Sequence, residues 1–287
     1  MRKLTALALA AALAAVAAAW TSGRAPAARS ASCTDSTVQS GKLTVGTDNP
    51  AYPPWFGGNP PKGSKWKVSD PTSGKGFEGA VAFAVAKQLG FARSQVGWTY
   101  VPFAKSYAPG KKSFDFDINE ISYTPARAKV VDFSDSYYNV NQSIVVRKGT
   151  PIAKARSIAA LKPYKLGAEL GTTSYDTIVG VIKPKSKAVY TSNDKAVFAL
   201  KSKLIDGLVV DLPTAFYVTA VQVPNSTILG QLATSGKNPE HFGMVFQKGS
   251  PLVGCVNRAL ATLKANGTLR KIQSTWLSKV VGVPVLK

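Results

Sequence analysis

Residues 118–135, INEISYTPARAKVVDFSD, follow an apolar run at Phe114–Ile118 that reads as a strand, and they set one obligate cation, Arg127, at the start of a helix. Thr124 fits an N-cap and Pro125 the first helical position, so Arg127 falls in the first turn among amides without intrahelical partners. Free N–H groups, the positive end of a helix dipole and a guanidinium fork all favour an anion at that spot, and a carboxylate fits the fork. The other reading of this stretch is a capped surface helix with a solvated arginine. The rest of the chain has to separate the two.

The N-terminus, MRKLTALALAAALAAVAAAW, joins Arg2 and Lys3 to an alanine-rich apolar run and then small residues, the pattern of an export signal. The run contains Thr5, is weakly hydrophobic and is short for a membrane span, which argues against an uncleaved anchor. Residues 1–32 therefore read as signal and spacer, with the folded part beginning near Cys33. The remainder is long enough for one large domain or two lobes with separate cores. The chain carries 36 basic and 15 acidic residues; without Arg2, Lys3, Arg24 and Arg29 the excess is still +17. In an exported protein such an excess suits anionic cell wall, lipid headgroups or an acidic partner. Dispersed lysines without interleaved stacking aromatics argue against nucleic acid. Cys33 and Cys255, in an oxidising compartment, predict a disulfide from the start of the mature chain to a helix near its end. Lipidation of Cys33 is the rival, although Arg29-Ser30-Ala31-Ser32 lacks the aliphatic residue of a lipoprotein signal.

Working outward, Lys42–Thr47 is a strand that opens at Asp48-Asn49-Pro50 into the aromatic, proline-rich loop Ala51–Phe56, which cannot be helical. A Gly, Lys and Pro-rich insertion, Gly57–Gly76, reads as a hairpin or surface loop, and Phe77–Leu89 has helical spacing with Gly90 as its stop. Val96–Val101 is a strand, Arg127–Val131 a short helix and Ser143–Arg147 a strand; Lys148-Gly149-Thr150-Pro151 then makes a natural crossing between lobes. Tyr164–Ala168, the turn Gly171-Thr172-Thr173-Ser174 and the helix Tyr175–Val181 form a second strand-to-helix turn where amides converge. Asp194–Lys201 is a helix, Gly207–Val210 a strand ending at Asp211, Gly243–Gln247 a strand, and Pro251–Leu277 helical with a break at Gly267. Alternating strands and helices predict an α/β fold with largely parallel sheets. The expected organisation is a first lobe over 33–147 and 243–287 and a second over 148–242.

Several segments, in order, resemble the amino-acid-binding proteins that deliver substrates to ABC importers, the extracellular solute-binding family 3: VGTDNPAYPPW, GFEGAVAFAVAKQLG, FDFDINEISYTPARAKVVDFSDSYY, LGAELGTTSYDTI, LIDGLVVDLPTAFY and GTLRKIQSTWL. They cover almost the whole mature chain. The resemblance implies a periplasmic-binding-protein-like fold of type II, two α/β lobes each with a mainly parallel sheet flanked by helices, joined by a two-strand hinge and closing over one small ligand. It implies an exported monomer that needs no cofactor and docks on a membrane permease of an ABC transporter.

Carried over residue by residue, Arg127 resembles the arginine that pairs with the ligand α-carboxylate, helped by Ser122 and the backbone around Thr124. Thr172 and Thr173 stand where the second lobe adds hydroxyl and amide donors, and Asp211 where an acid receives the α-ammonium. Tyr52 resembles the aromatic that covers the ligand side chain, with Phe103 as a second wall and Trp55 as a third; for all three ordinary core or loop packing is the alternative. The chain departs from its relatives at Glu120, where many have Gly or Ser. An anion there repels a carboxylate, so Glu120 points away, pairs with a lysine or meets a cationic ligand side chain. Asp48 stands where relatives that take basic amino acids use an acid, or is a turn-forming aspartate. Arginine, lysine or ornithine is therefore the leading ligand class, ahead of polar neutral amino acids.

Two other classes compete. A few proteins of this fold are dehydratases acting on cyclic acids; Glu120 or Glu169 is the one foothold for an acid–base role, and no nucleophile elbow is present. With His241 as the single histidine and two cysteines that can bond each other, no histidine or cysteine metal cluster is expected. A sensor domain for a kinase is the third reading.

Overall fold

The computed structural model describes residues 33–232, 239–278 and 282–287, so the signal and spacer expected over residues 1–32 lie outside the described residues. The first sheet grows from Leu43–Thr47, whose Leu43 and Val45 are fully buried. Val96–Tyr100 and Phe116–Asp117 pair with it on either side in parallel; Val245–Gln247 then adds antiparallel, and Val131–Phe133 closes the edge. Phe77, Val81 and Val85 of the helix Phe77–Gln88 pack in one core with Leu252, Val256 and Leu260 of the helix Leu252–Ala265. The four-residue spacing of each set lays one apolar stripe along each helix, and each such side chain contributes roughly 1.5–3 kcal/mol when fully buried. Trp55 joins this core, edge-on to Phe77, Tyr138 and Phe242.

The second sheet runs in the order Val285–Leu286, Ser226–Leu232, Gln142–Arg147, Gly207–Asp211, Lys165–Glu169 and Ser186–Tyr190. Its central strands divide their side chains between two cores. Ile144, Val146 and Val209 pack on one face with Leu166 and Ile178, whereas Val145, Leu208 and Val210 pack on the other with Ala196, Leu200 and Val218. A strand covered on both faces has to be apolar at every position, which accounts for the unbroken runs in SIVV and LVV. The sheet is mixed: Gly207–Asp211 is parallel to Lys165–Glu169 and antiparallel to Gln142–Arg147.

The fold is a two-lobe α/β architecture, but sheet membership departs from the expected division at residue 148. Gln142–Arg147 is central to the second sheet, and Val285–Leu286 returns to that sheet's edge. The reason is the two-faced apolarity of SIVV, which only a central strand can bury, so Lys148-Gly149 is a turn within the second lobe. The chain passes between the sheets through two short strands, Tyr138–Asn139 and His241–Phe242, which pair antiparallel. His241 sits at this passage, its ring stacked on Tyr123 at 5.5 Å.

The Cys33–Cys255 disulfide is present and ties the first described residue to the helix Leu252–Ala265 across 222 residues of sequence. By loop-closure entropy alone, a cross-link over so long a loop contributes about 5 kcal/mol. Among the described residues, no helix is long and apolar enough to cross a membrane.

Candidate functional site

Leu43–Thr47, Lys165–Glu169 and Gly207–Asp211 all end at one cavity of about 510 Å³. The carboxyl ends of strands are where open α/β sheets place ligands, because the loops that follow converge there. Of the residues predicted for the site, Asp48, Tyr52, Phe103, Glu120, Ser122, Arg127, Thr172, Thr173 and Asp211 line this cavity. Thr124 and Trp55 do not.

Thr124 is an N-cap, as its sequence position predicts, and Pro125 takes the first position of the helix. That helix is a single turn, Pro125–Ala128, because Val131–Phe133 is drawn into the first sheet. One turn has little dipole to offer an anion, and the Thr124 hydroxyl is already used, accepting from the Arg127 amide at 3.2 Å. Whatever holds an anion here must be the guanidinium. Arg127 is 8% exposed, 4.2 Å from the centre of the Tyr107 ring and 5.6 Å from that of Phe103. Its Nη1 donates to the Ser122 carbonyl at 2.6 Å and its Nη2 to the Gly171 carbonyl at 2.7 Å, so it spans the two lobes. Burial draws its pKa down, yet a guanidinium stays charged and keeps further N–H donors beyond these two. Tyr107 also donates to Gly171, at 3.1 Å. Gly171 has φ +75°, and a Cβ there would meet the Tyr107 hydroxyl at 2.6 Å, so this approach requires glycine.

Asp211 sits at the end of its strand and accepts from Gln142 Nε2 at 2.7 Å. Gln142 also reaches Glu240 at 3.1 Å, while its Oε1 accepts from Ser174. The Ser122 hydroxyl donates to Glu240 at 2.7 Å and lies 3.3 Å from the Thr173 hydroxyl. Thr172 donates to the Glu169 carbonyl and caps the helix Thr173–Thr177, so its one hydroxyl proton is committed. Because the Ser122 proton goes to Glu240, Thr173 is the donor in that contact, and its side chain lines the cavity. Burial, with Glu240 close by, pushes the Asp211 carboxyl well above the ordinary range.

Glu120 neither meets a lysine nor points out of the cavity. Its backbone is left-handed, φ +54°, its N–H donates to buried Glu78 at 2.7 Å, and its Oε2 accepts from Thr214 at 2.7 Å. Trp55 Nε1 donates to the same Thr214 oxygen at 2.8 Å, so Thr214 in the second lobe is gripped by two side chains of the first. Tyr137 also donates to Glu78. Burial raises the Glu78 carboxyl to about 7, and burial plus the charges of Glu78 and Asp211 hold Glu120 well above the usual range.

The remaining acids form a separate group. Asp48 accepts from the Asn49 amide, and Asp194 accepts from the Tyr52 hydroxyl at 2.6 Å, a second bond between the lobes. The Tyr52 ring lies 5.7 Å from that of Tyr217. Glu169, at the end of Lys165–Glu169, has its carboxyl raised to about 7 by burial, with the charges of Asp48 and Asp194 adding to the effect.

Sequence reasoning missed Gln142, Thr214, Tyr107 and Asp194, and read Glu169 only as a foothold for acid–base chemistry. Thr214 and Asp194 lie in the first turns of helices that directly follow a strand or turn, a signal that could have found them. Gln142 and Tyr107 carry no such mark. Among the described residues, no cluster of His, Cys, Asp and Glu could hold a metal ion.

Residues 43–279 match the profile of the bacterial extracellular solute-binding proteins, family 3. The chain is similar to ABC transporter arginine-binding protein 1 of Escherichia coli, 31% identical over 210 residues, 70% of this chain and 81% of that protein. It is also similar to the ABC transporter glutamine-binding protein GlnH of Bacillus subtilis, 28% identical over 74% of this chain and 77% of that protein. Among solved structures, an ancestral arginine-binding protein bound to arginine superposes with a TM-score of 0.66 at 31% identity, covering 82% of this chain and 98% of that one.

Proposed function

Because this chain belongs to the bacterial extracellular solute-binding proteins, family 3, we propose that it is an exported receptor that captures one free amino acid between its lobes and hands it to an ABC transporter permease. The ligand is a basic amino acid, with a polar neutral one next in order. One observation carries this choice: among the described residues, five carboxylates, Asp48, Glu120, Glu169, Asp194 and Asp211, line the cavity together with a single cation, Arg127. Arg127 takes the α-carboxylate, with Thr173 beside it. Asp211 takes the α-ammonium. A neutral zwitterion balances only that pair, whereas a second cationic group on the ligand offsets the acids that remain. The short strands Tyr138–Asn139 and His241–Phe242 serve as the hinge.

Calorimetric titration of the mature protein with the common amino acids tests this. Saturable binding is expected, arginine, lysine or ornithine the tightest, and no saturable binding by any of them sinks the idea. A second reading has one observation in its favour: Glu169, titrating near 7 in a cavity, suits a general acid of a dehydratase acting on a small cyclic carboxylic acid. Recovery of bound ligand chemically unchanged, and of a cyclic hydroxy acid unchanged after prolonged incubation, separates receptor from enzyme.

A further inference from the structure

Glu120 is the acid that the sequence singles out, yet its carboxylate is held by a side chain of the other lobe. It accepts from Thr214, which is itself fixed by Trp55, and its backbone is tied to Glu78. Thr214 lies in the first turn of the helix Leu212–Tyr217 that Asp211 caps, so Glu120 belongs to the end of the cavity where Asp211 sits. Asp48 and Asp194 both bear on Glu169, and Asp194 bears on Asp48. Within that second group Asp48 accepts from Asn49, and Asp194 accepts from Tyr52. The Asn193 amide donates to the Glu169 carboxylate, and among the described residues no side chain does. It lines the cavity, at the end of a strand packed on both sides, where its backbone cannot swing away.

We propose that Glu169, flanked by Asp48 and Asp194, is the counter-ion for the distal cation of the ligand and the residue that sets the preference for basic over neutral amino acids. A carboxylate that no side chain holds can turn to accept N–H bonds from a guanidinium, whereas Glu120 is already held by the Thr214 hydroxyl. Asp194, held by Tyr52 across the cleft, couples this subsite to closure, since a cation between Asp48 in the first lobe and Glu169 and Asp194 in the second draws three carboxylates together. The proposal rests on the amino-acid reading of the cavity.

The test compares L-arginine with L-citrulline, which replaces the guanidinium by a neutral urea of nearly the same shape, in the wild type and in Glu169→Gln and Glu120→Gln. Glu169→Gln is expected to weaken arginine at least about tenfold while changing citrulline less than about threefold. Glu120→Gln is expected to change the two ligands alike. Equal effects of Glu169→Gln on both ligands, or a selective loss in Glu120→Gln, overturn the assignment. A wild type that binds neutral amino acids as tightly as arginine overturns it while leaving the receptor reading intact; a wild type that binds no amino acid removes both. Circular dichroism of Glu169→Gln guards against misfolding, and Glu169→Asp, which keeps the charge, is expected to retain part of the arginine preference.

Discussion

The two ends of the cavity are built on different principles. At the Arg127 end, every group has a fixed partner: Ser122 and Gly171 carbonyls on the guanidinium, Tyr107 over its face, Gln142 on Asp211, Glu240 on Ser122. Geometry specifies what fits there. At the other end, Asp48, Glu169 and Asp194 crowd negative charge into a half-buried space where burial and mutual repulsion push the Asp48 and Glu169 carboxyls upward. Charge specifies what fits there, and charge titrates. The first end should therefore recognise what all amino acids share, and the second what distinguishes one from another.

The largest way to break that comparison is Arg127→Ala. Among the described residues the arginine supplies the one cation of the cavity, in a buried place, and a charge-assisted fork contributes roughly 3 kcal/mol or more, so affinity should fall more than about hundredfold. The loss should be the same for arginine and citrulline when both are titrated calorimetrically. A loss confined to one ligand would mean that the two ends are not independent.

A tenfold effect is expected from pH. A Glu169 carboxyl at about 7 in the free protein is half protonated near neutrality, and a cationic side chain binds only the ionised form. Raising the pH from 6 to 8 should therefore strengthen arginine relative to citrulline by about tenfold, with the change centred near 7. The ratio removes the contribution of Asp211, which acts on both ligands. Asp48, Asp194 and Tyr107 also face Glu169; the two aspartates delay its ionisation. Stability of the free protein should run the other way. Glu78 and Glu169 hold protons to about 7 when folded and only to about 4.5 when unfolded, so the stability present below the lower value is lost as the pH rises through 7. Thermal melts at pH 5 and pH 8 without ligand check this: the midpoint should be higher at pH 5.

The contrast also explains what could be read beforehand. The Arg127 end was legible because its cap, proline and arginine lie within four residues, and because Asp211 ends an apolar strand. The acidic end joins residues 48, 169 and 194, which are adjacent only after two sheets have folded, and an acid after a strand or at a helix start is ordinary in sequence. Gln142 was hidden for a related reason. The run SIVV looked like the edge of the first lobe, and only its place as a central strand of the second sheet carries Gln142 to a position opposite Asp211. The helix at Arg127 was expected to be longer, since Val130 and Val131 continue its apolar pattern; pairing with Val245–Gln247 won instead.

The smallest effect, and the one that sharpens the boundary between the two ends, belongs to Thr214. Its hydroxyl donates to Glu120 and accepts from Trp55, so Thr214→Val leaves a buried indole N–H without its acceptor and Glu120 without its donor. Leaving such groups unpaired costs about 1–3 kcal/mol of stability, and loosening the closed arrangement should weaken binding by about fivefold. Thr214→Ser, which keeps the hydroxyl, should restore both. Because Glu120 lies beside Asp211, arginine and citrulline should weaken together in Thr214→Val. If arginine alone is affected, Glu120 acts on the ligand side chain, and the acidic end extends across the floor of the cavity to Asp211.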